Sequence, residues 1–204
     1  MKINIAVLAS GRGSNFQAIL DAIDNSTCNA QVKVLITNNP NAEAIKRAKA
    51  KKIPVEIVEK KKFKAREEMD EKIYELLDNY DVELVVLAGY MLVLKGKKLL
   101  EKYRHKIINI HPALLPAFPG LDAQKQAFDY GCKVSGVTVH FVDESLDGGP
   151  IIHQEAVEIS DCNSPEEVSE KILKKEHEVY PKVIDMFAKG KFIVNKRRIL
   201  YKLG

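Results

Sequence analysis

The first half of the chain carries short apolar runs that are separated by stretches with helical spacing. The runs predict five strands, at Lys2–Leu8, Val32–Thr37, Val55–Val58, Leu84–Ala88 and Ile107–His111. Helical patterns separate the first four strands, and such alternation is typical of a parallel sheet with right-handed crossover connections. The sequence therefore predicts an α/β fold, with a mainly parallel, twisted sheet and helices on both of its faces.

The pattern changes after the fifth strand. A proline-rich loop runs from Pro112 to Pro119, and it is followed by a short helix, strands at Val134–Val142 and Ile151–Ile159, and a long helix. Ser164 and Glu167 have the spacing of a capping box, which predicts that the long helix begins beside them. No linker or repeat divides the chain, so we expect a single domain.

The long helix carries one polar residue on its apolar stripe. The stripe consists of Val168, Ile172, Glu176, Val179 and Val183, which share one helical face. Two interpretations of Glu176 are open. It lies either at the edge of the stripe with its carboxylate in water, or inside the protein as a hydrogen-bond acceptor aimed at a ligand.

The composition favours a soluble globular protein. Of the 204 residues, 46% are hydrophobic and 29% are charged, which supports a core and argues against disorder. The net charge of +4 is too small to indicate a nucleic-acid-binding protein, and the basic stretches at 59–64 and 196–198 are interpreted as solvated surface. No apolar run reaches about 18 residues and the N-terminus does not resemble a signal peptide, so we expect a cytoplasmic protein without a membrane partner. The three cysteines form no C-x-x-C pair, which argues against a disulfide framework and a cysteine-based zinc site.

A glycine-rich turn, Ser10–Asn15, lies between the first strand and the helix that follows it. The N-terminus of a helix presents backbone N–H groups and the positive end of the helix dipole to an anion. The turn therefore predicts a site for a monophosphate or a similar anion, held by Gly13, Ser14 and Asn15. A purely structural turn is the alternative.

The same turn departs from the common nucleotide-binding patterns. Phe16 occupies the third glycine position of G-x-G-x-x-G, and no Asp or Glu stands at 37–39 to hold a ribose hydroxyl, so NAD is disfavoured. The sequence also lacks the ATP-binding pattern G-x-x-x-x-G-K-[ST], since Met91 stands five residues before Gly96. We expect neither NAD nor ATP to bind.

Polar side chains concentrate at the end of the fifth strand. Asn109 and His111 are two residues apart, which puts them on one face of the strand, about 7 Å from each other. Open α/β sheets bind ligands at the carboxyl ends of their strands, where an amide and an imidazole supply a hydrogen-bond donor and a proton carrier. A structural core histidine is the alternative for His111.

The next strand carries a second polar face. Thr138 and His140 alternate with apolar residues, and the loop after them brings Asp143 and Asp147. A carboxylate beside His111 would orient the ring and favour its charged form. The sequence has no H-E-x-x-H or comparable spacing, so we expect no metal site.

Several segments resemble the signatures of one known family. Residues 109–116 read N-I-H-P-A-L-L-P, and residues 135–151 contain S-G-V-T-V-H-F-V and L-D-G-G-P-I. Both resemble the formyltetrahydrofolate-using transferases and hydrolases. The segments at 10–15, 87–91 and 176–181 narrow the resemblance to the phosphoribosylglycinamide formyltransferase family, and it covers essentially the whole chain.

The resemblance implies one domain over residues 1–204, with a Rossmann-like, phosphate-binding half over about 1–100 and a catalytic, folate-binding half over about 101–204. It implies that the catalytic group is Asn109, His111 and Asp147. The residues that it implies for the phosphorylated substrate are Gly13, Ser14, Asn15 and Glu176. The residues that it implies for the folate are Arg66, Tyr90, Met91, Leu92, Val93, Leu94, Asn109, Asp143 and Asp147.

The implied reaction transfers the formyl group of 10-formyltetrahydrofolate to the amine of glycinamide ribonucleotide, in de novo purine biosynthesis. The resemblance implies no metal, NAD, ATP or nucleic-acid partner, and it implies a monomer or a homodimer. This sequence departs from the family at Leu92, where many members have Arg, and at Ala117, which replaces a common basic residue. Both departures concern ligand affinity rather than the catalytic group.

Three alternatives are open. Methionyl-tRNA formyltransferase shares both signatures but is longer, and a deformylase brings an extra N-terminal domain, so we expect neither in a chain whose first strand starts at Lys2 and which ends at Gly204. A non-catalytic nucleotide- or folate-binding module explains the glycine-rich turn. It does not explain Asn109 and His111 on one face with Asp147 downstream, so the sequence favours the transferase.

Overall fold

The computed structural model describes residues 2–204, so residue 1 of the expected domain lies outside the described residues. The strands are β1 (Ile3–Leu8), β2 (Ala30–Thr37), β3 (Val55–Ile57), β4 (Leu84–Leu87), β5 (Ile107–His111), β6 (Val134–Phe141), β7 (Ile151–Glu158), β8 (Gly190–Asn195) and β9 (Arg198–Leu203). The helices are α1 (Ser14–Asp24), α2 (Ala44–Ala50), α3 (Arg66–Asn79), α4 (Lys97–Lys102), α5 (Ala123–Tyr130) and α6 (Pro165–Lys189). All seven predicted strands are present, each close to its predicted bounds.

Strands β1 to β7 form one sheet in the order β3-β2-β1-β4-β5-β6-β7. Strands β1 to β5 are parallel to one another, whereas β6 runs antiparallel to β5 and β7 antiparallel to β6. From β1 the chain adds strands towards β3 on one side, and from β4 it adds strands towards β7 on the other, so the direction of winding reverses between β1 and β4. The loops that follow β1 and β4 therefore diverge and leave a crevice. The predicted α/β fold with a mainly parallel sheet is confirmed.

The side chains of β1 divide the core into two layers, one on each face of the sheet. Ile5 and Val7 pack in the layer that contains the buried residues of α1 and α6. Ala6 and Leu8 pack in the other layer, with the buried residues of α3. Because neighbouring side chains of a strand point to opposite faces, the apolar run of β1 is buried on both sides.

Helix α6 begins at the predicted position, but its capping box is only half formed. The Ser164 hydroxyl accepts a hydrogen bond from the Glu167 N–H at 3.2 Å. The Glu167 carboxylate accepts from the N–H of Asn163 at 2.8 Å, one residue before the cap, rather than from Ser164. Within residues 2–204, neither α6 nor any other helix is long and apolar enough to cross a membrane.

The antiparallel hairpin of β8 and β9 has no counterpart in the sequence-based prediction. Phe192 of β8 packs against Phe187 of α6, with 4.4 Å between the ring centroids, and Tyr201 of β9 packs against Phe192. Half-buried apolar residues alternate with exposed ones along β8, which is the signal that could have identified this strand. Residues 196–198, interpreted as solvated surface, are exposed at the tip of the hairpin.

Candidate functional site

A cavity of about 540 Å³ opens in the crevice beside β1 and β4. Its walls come from α1, the segment after β4, the end of β5, the loop after β6, and α6. The predicted site residues that line it are Asn15, Tyr90, Met91, Leu92, Val93, Leu94, Asn109, His111, Asp143, Asp147 and Glu176. Gly13, Ser14 and Arg66 are not among the lining residues. The cavity takes its walls from both expected halves of the chain.

Acceptor oxygens face both ring nitrogens of His111, which is 4% exposed. Nε2 lies 2.8 Å from the carbonyl oxygen of Phe118. A carbonyl oxygen can only accept, so Nε2 carries a proton and donates it to this bond. Nδ1 lies 3.5 Å from Oδ2 of Asp147, which is longer than a hydrogen bond. Nδ1 is therefore the nitrogen at which His111 can exchange a proton with a ligand.

Asp147 lies between two histidines. Its Oδ2 faces His111 and accepts a hydrogen bond from the Gly120 N–H at 2.8 Å. Its Oδ1 lies 3.7 Å from Nε2 of His140. These contacts fix the carboxylate beside His111, where the sequence predicts one. Within residues 2–204, no three side chains of His, Cys, Asp or Glu form a group that could hold a metal ion.

His140 contacts the expected catalytic group, although the predicted site residues do not include it. The pairing of β5 with β6 places Asn109 opposite His140. Nδ1 of His140 lies 2.9 Å from the Phe141 carbonyl oxygen and carries the proton, so Nε2 accepts from the Asn109 amide at 3.3 Å. Burial lowers the pKa of His140 below its ordinary value, which keeps the ring neutral. The bond orients the Asn109 amide, whose second N–H is left for a ligand. The polar face of β6 is the sequence signal for this residue.

Thr138 positions the proline-rich loop that reaches back to the site. Its hydroxyl donates to the carbonyl oxygen of Ala113 at 2.6 Å and accepts from the Leu115 N–H at 3.0 Å. The same loop then supplies the Phe118 carbonyl oxygen to His111 and the Gly120 N–H to Asp147. Thr138 therefore supports the site from β6, and it does not line the cavity.

Glu176 is 6% exposed, so its carboxylate does not lie in water at the edge of the stripe. Its Oε2 accepts a hydrogen bond from Nδ2 of Asn15 at 2.7 Å. Burial raises the pKa of Glu176 to about 7, although the bond from Asn15 acts in the opposite direction. Oδ1 of Asn15 is buried and has no hydrogen-bond partner among the described residues. The pair therefore presents acceptor oxygens at the cavity, where a ligand with N–H or O–H groups would satisfy them.

The glycine-rich turn leads into α1 as predicted. The helix begins at Ser14, so the N–H groups of its first turn have no acceptor within the helix. Gly13 has a φ of +67°, and a Cβ on it would lie 2.8 Å from Cβ of Ala44, so this position requires glycine. Phe16, at the third glycine position of a dinucleotide loop, is fully buried in the core. The turn presents the N-terminus of α1 next to Asn15, which lines the cavity.

The segment at 90–94 forms one wall of the cavity and is held from behind. Arg66, expected at the folate, lies outside the lining, and its Nε donates to the Val93 carbonyl oxygen at 2.9 Å. The structure thus places Arg66 where it supports the wall. Of the two departures from the family, Leu92 lines the cavity and Ala117 is exposed in the proline-rich loop.

Known proteins match this chain over most of its length. The formyl transferase family model matches residues 3–184. The chain is 48% identical over 179 residues to the phosphoribosylglycinamide formyltransferase of Bacillus subtilis (strain 168), and this match covers 88% of this chain and 91% of that protein. It is 38% identical over 189 residues to the trifunctional purine biosynthetic protein adenosine-3 of Homo sapiens, and this match covers 93% of this chain and 19% of that protein.

A solved structure also resembles this chain. The crystal structure of glycinamide ribonucleotide transformylase 1 from Symbiobacterium toebii has a TM-score of 0.94 and 40% sequence identity, and the match covers 98% of this chain and 94% of that one. The family resemblance carried by the two signatures is confirmed by these matches. The chain belongs to the formyl transferase family.

Proposed function

We propose that this protein transfers the formyl group of 10-formyltetrahydrofolate to the amine of glycinamide ribonucleotide, as a step of de novo purine biosynthesis. One observation carries the proposal: a single cavity is lined by Asn109, His111 and Asp147, by the buried acceptor Glu176, and by the largely apolar wall at 90–94. A transferase with two substrates needs a site of this kind, because both ligands must reach the same proton-carrying group.

Glycinamide ribonucleotide carries a phosphate, ribose hydroxyls and an amine. The phosphate fits the N-terminus of α1, where Gly13, Ser14 and Asn15 lie at the positive end of the helix dipole. The hydroxyl and amine groups are donors, and Glu176 is the buried acceptor that suits them. The wall of the folate site in this proposal consists of Tyr90, Met91, Leu92, Val93, Leu94 and Asp143, with Arg66 behind it.

The chemistry proceeds in two steps. The amine nitrogen attacks the formyl carbon, and the electron pair of the C=O π bond moves to oxygen and forms a tetrahedral oxyanion. The second N–H of Asn109 and the proton on Nδ1 of His111 stabilise that oxygen. When the oxyanion collapses, the bond from carbon to N10 breaks, and N10 receives a proton from Nδ1 of His111. The attacking amine loses one proton to solvent or to His111, so one proton leaves as one is delivered. Asp147 orients His111 and stabilises the charge on its ring.

One assay tests the proposal. Consumption of 10-formyltetrahydrofolate is followed with and without glycinamide ribonucleotide, and the formylated product is quantified. We expect consumption only with the ribonucleotide, with one product formed for each formyl donor consumed. Consumption without it would indicate a deformylase, and formylation of methionyl-tRNA alone would indicate the tRNA enzyme. No consumption under any condition would contradict the proposal and favour a binding module.

We further propose that the protein works in the cytoplasm as a monomer or a homodimer, without a metal ion and without a nucleic-acid partner. NAD and ATP should produce no measurable heat of binding in calorimetry. The turn before α1 lacks the third glycine of NAD-binding proteins, residues 37–39 include no acid to hold a ribose hydroxyl, and the sequence contains no G-x-x-x-x-G-K-[ST] pattern for ATP. A clear calorimetric signal for either nucleotide would contradict this part of the proposal.

A further inference from the structure

The loop that carries Asp147 has a backbone that needs support. Asp147 has a φ of +50°, in the left-handed region that costs energy for a residue with a Cβ. Two residues later, a Cβ on Gly149 would lie 1.8 Å from the carbonyl oxygen of Phe141, so the loop end is pressed against β6. A backbone of this kind persists only where contacts on its flanks hold it.

The β8–β9 hairpin contacts both ends of this loop. Before the loop, Phe192 of β8 packs edge-on against Phe141, with 6.2 Å between the ring centroids and an angle of 88°. At the other end, Nη1 of Arg197 donates a hydrogen bond to the Gly148 carbonyl oxygen at 2.9 Å. Gly148 directly follows Asp147 in the chain. The hairpin therefore holds the loop on both sides of Asp147.

The hairpin is itself anchored to α6 at its base. Phe192 packs against Phe187 at 4.4 Å between ring centroids, and the Tyr201 hydroxyl donates to the Met186 carbonyl oxygen at 3.1 Å. The N–H of Gly204 donates to the Lys189 carbonyl oxygen at 2.9 Å. Since the base is fixed to the longest helix, the tip can restrain the loop that it contacts.

We infer that the hairpin braces the loop at 143–149 and that Arg197 is a positioning residue, which acts on the reaction through Asp147. The inference rests on the proposed function, in which Asp147 orients His111. It concerns residues beyond position 184, where the match to the family model ends. Without the guanidinium, the Gly148 carbonyl bonds to water instead, and Asp147 spends less time beside His111.

Arg197→Met tests the brace, because Met keeps an unbranched side chain of similar length and removes every donor. The hydrogen bond from Arg197 to Gly148 is exposed and contributes only a small free energy, so kcat should fall by about 3–10-fold. The KM for glycinamide ribonucleotide and the melting temperature should stay unchanged. Arg197→Lys, which retains a charged donor, should recover part of the rate. Arg198→Met is the matched control, since the Arg198 side chain is exposed next to Arg197 and forms no hydrogen bond or ion pair within residues 2–204. It should leave kcat unchanged.

A double-mutant cycle shows whether Arg197 acts through Asp147. In an Asp147→Asn background, Arg197→Met should lower kcat by less than about twofold, because the carboxylate that it positions is already neutral. A full 3–10-fold loss in that background would overturn the proposed route. So would an Arg197→Met variant whose kcat equals that of Arg198→Met, or one whose rate falls only in proportion to a loss of folded protein.

Hydrogen exchange separates this inference from the proposed function. Peptides that cover 142–149 should exchange their amide hydrogens faster in Arg197→Met than in wild type or Arg198→Met, and this readout needs no substrate. Equal exchange in the three proteins would overturn the brace even in an active enzyme. If Arg197→Met exchanged faster than wild type but the wild-type protein transferred no formyl group, the proposed function and the kinetic role of Arg197 would both be refuted. The contact between the hairpin and the loop would still stand.

Discussion

Replacing Glu176 with Gln should make the protein more stable and, at the same time, a weaker binder of glycinamide ribonucleotide. The Glu176 side chain is 6% exposed, and burial raises its pKa from 4.5 to about 7. At about 1.4 kcal/mol for each tenfold change in proton affinity, keeping this carboxylate ionised costs the folded state about 3 kcal/mol. Gln retains an oxygen that can accept the bond from Asn15 and carries no charge.

The gain in stability should depend on pH in one direction. Below pH 4.5 the carboxyl group is protonated in both the folded and the unfolded chain, so the variant and wild type should have nearly the same free energy of unfolding. As the pH rises from 4.5 through about 7, the unfolded chain ionises first, and wild type loses stability relative to the variant. Above pH 7 the advantage of Glu176→Gln should reach its full value of about 3 kcal/mol.

Ligand binding should change in the opposite direction. A charged acceptor that bonds to ligand N–H or O–H groups contributes about 1.5–3 kcal/mol, so the KM for glycinamide ribonucleotide should rise by about 10–150-fold. The KM for 10-formyltetrahydrofolate should stay the same, because the proposed folate wall is a separate part of the cavity. The buried charge thus lowers stability where it serves binding, which is a common compromise at functional sites.

Urea unfolding at about pH 4 and about pH 8, together with steady-state kinetics, tests both effects. Glu170→Gln is the control, since Glu170 is an exposed residue of the same helix and should change neither quantity. If the free energy of unfolding differed between Glu176→Gln and wild type by the same amount at both pH values, the argument from burial would be refuted. A wild-type KM for glycinamide ribonucleotide would refute the assignment of Glu176 to that ligand.

Substitutions at three further positions test the remaining parts of the site. His111→Gln removes the proton carrier at Nδ1 and should lower kcat by about 10²–10³-fold with an unchanged melting temperature, whereas near-normal turnover would exclude His111 as the acid. Asp147→Asn preserves the shape but not the charge beside His111, so kcat should fall at least about tenfold with little change in either KM. An unaltered kcat would mean that Asp147 does not act on His111. Ser14→Glu should raise the KM for glycinamide ribonucleotide about tenfold by repelling its phosphate, while Ser14→Ala, which leaves the amides in place, should have a small effect. If Ser14→Glu weakened only folate binding, the turn would not be the phosphate site.

The strands of the site could be predicted because their side chains alternate with a period of two. The rule that puts Asn109 and His111 on one face of β5 also puts Thr138 and His140 on one face of β6. The contact of His140 with Asn109 depends in addition on the register between the two strands. The alternation within each strand fixes only its faces, and a shift of the register by two residues keeps the same faces. His140 could therefore be placed on a face of β6 but not opposite Asn109.

The loops and the long helix were less predictable for a different reason. The location of Asp147 follows from a left-handed backbone and from a bond to Gly120, and neither produces a periodic signal. The sequence offers Asp143 and Asp147 from this loop, and the resemblance to a family assigns Asp147 to the catalytic group. Helical spacing places Glu176 on the apolar face of α6, but it does not distinguish a carboxylate that lies in water at the edge of that face from one that lines a cavity. The distinction comes from Asn15, which is 161 residues away in the chain.

The charges of the cavity bear on how two anionic ligands could be oriented. Among its lining residues within 2–204 there are four carboxylates, and there is no Lys or Arg; the four are Asp122, Asp143, Asp147 and Glu176. Glycinamide ribonucleotide has a phosphate at one end and a folate has the carboxylates of its glutamate, so each ligand has an anionic end that such a cavity repels. The phosphate is then favoured at the N-terminus of α1, and the glutamate is favoured outside the cavity in solvent. In the proposed reaction the neutral formyl group and the amine point towards His111, so the acidic lining favours the orientation of both ligands that the proposal requires.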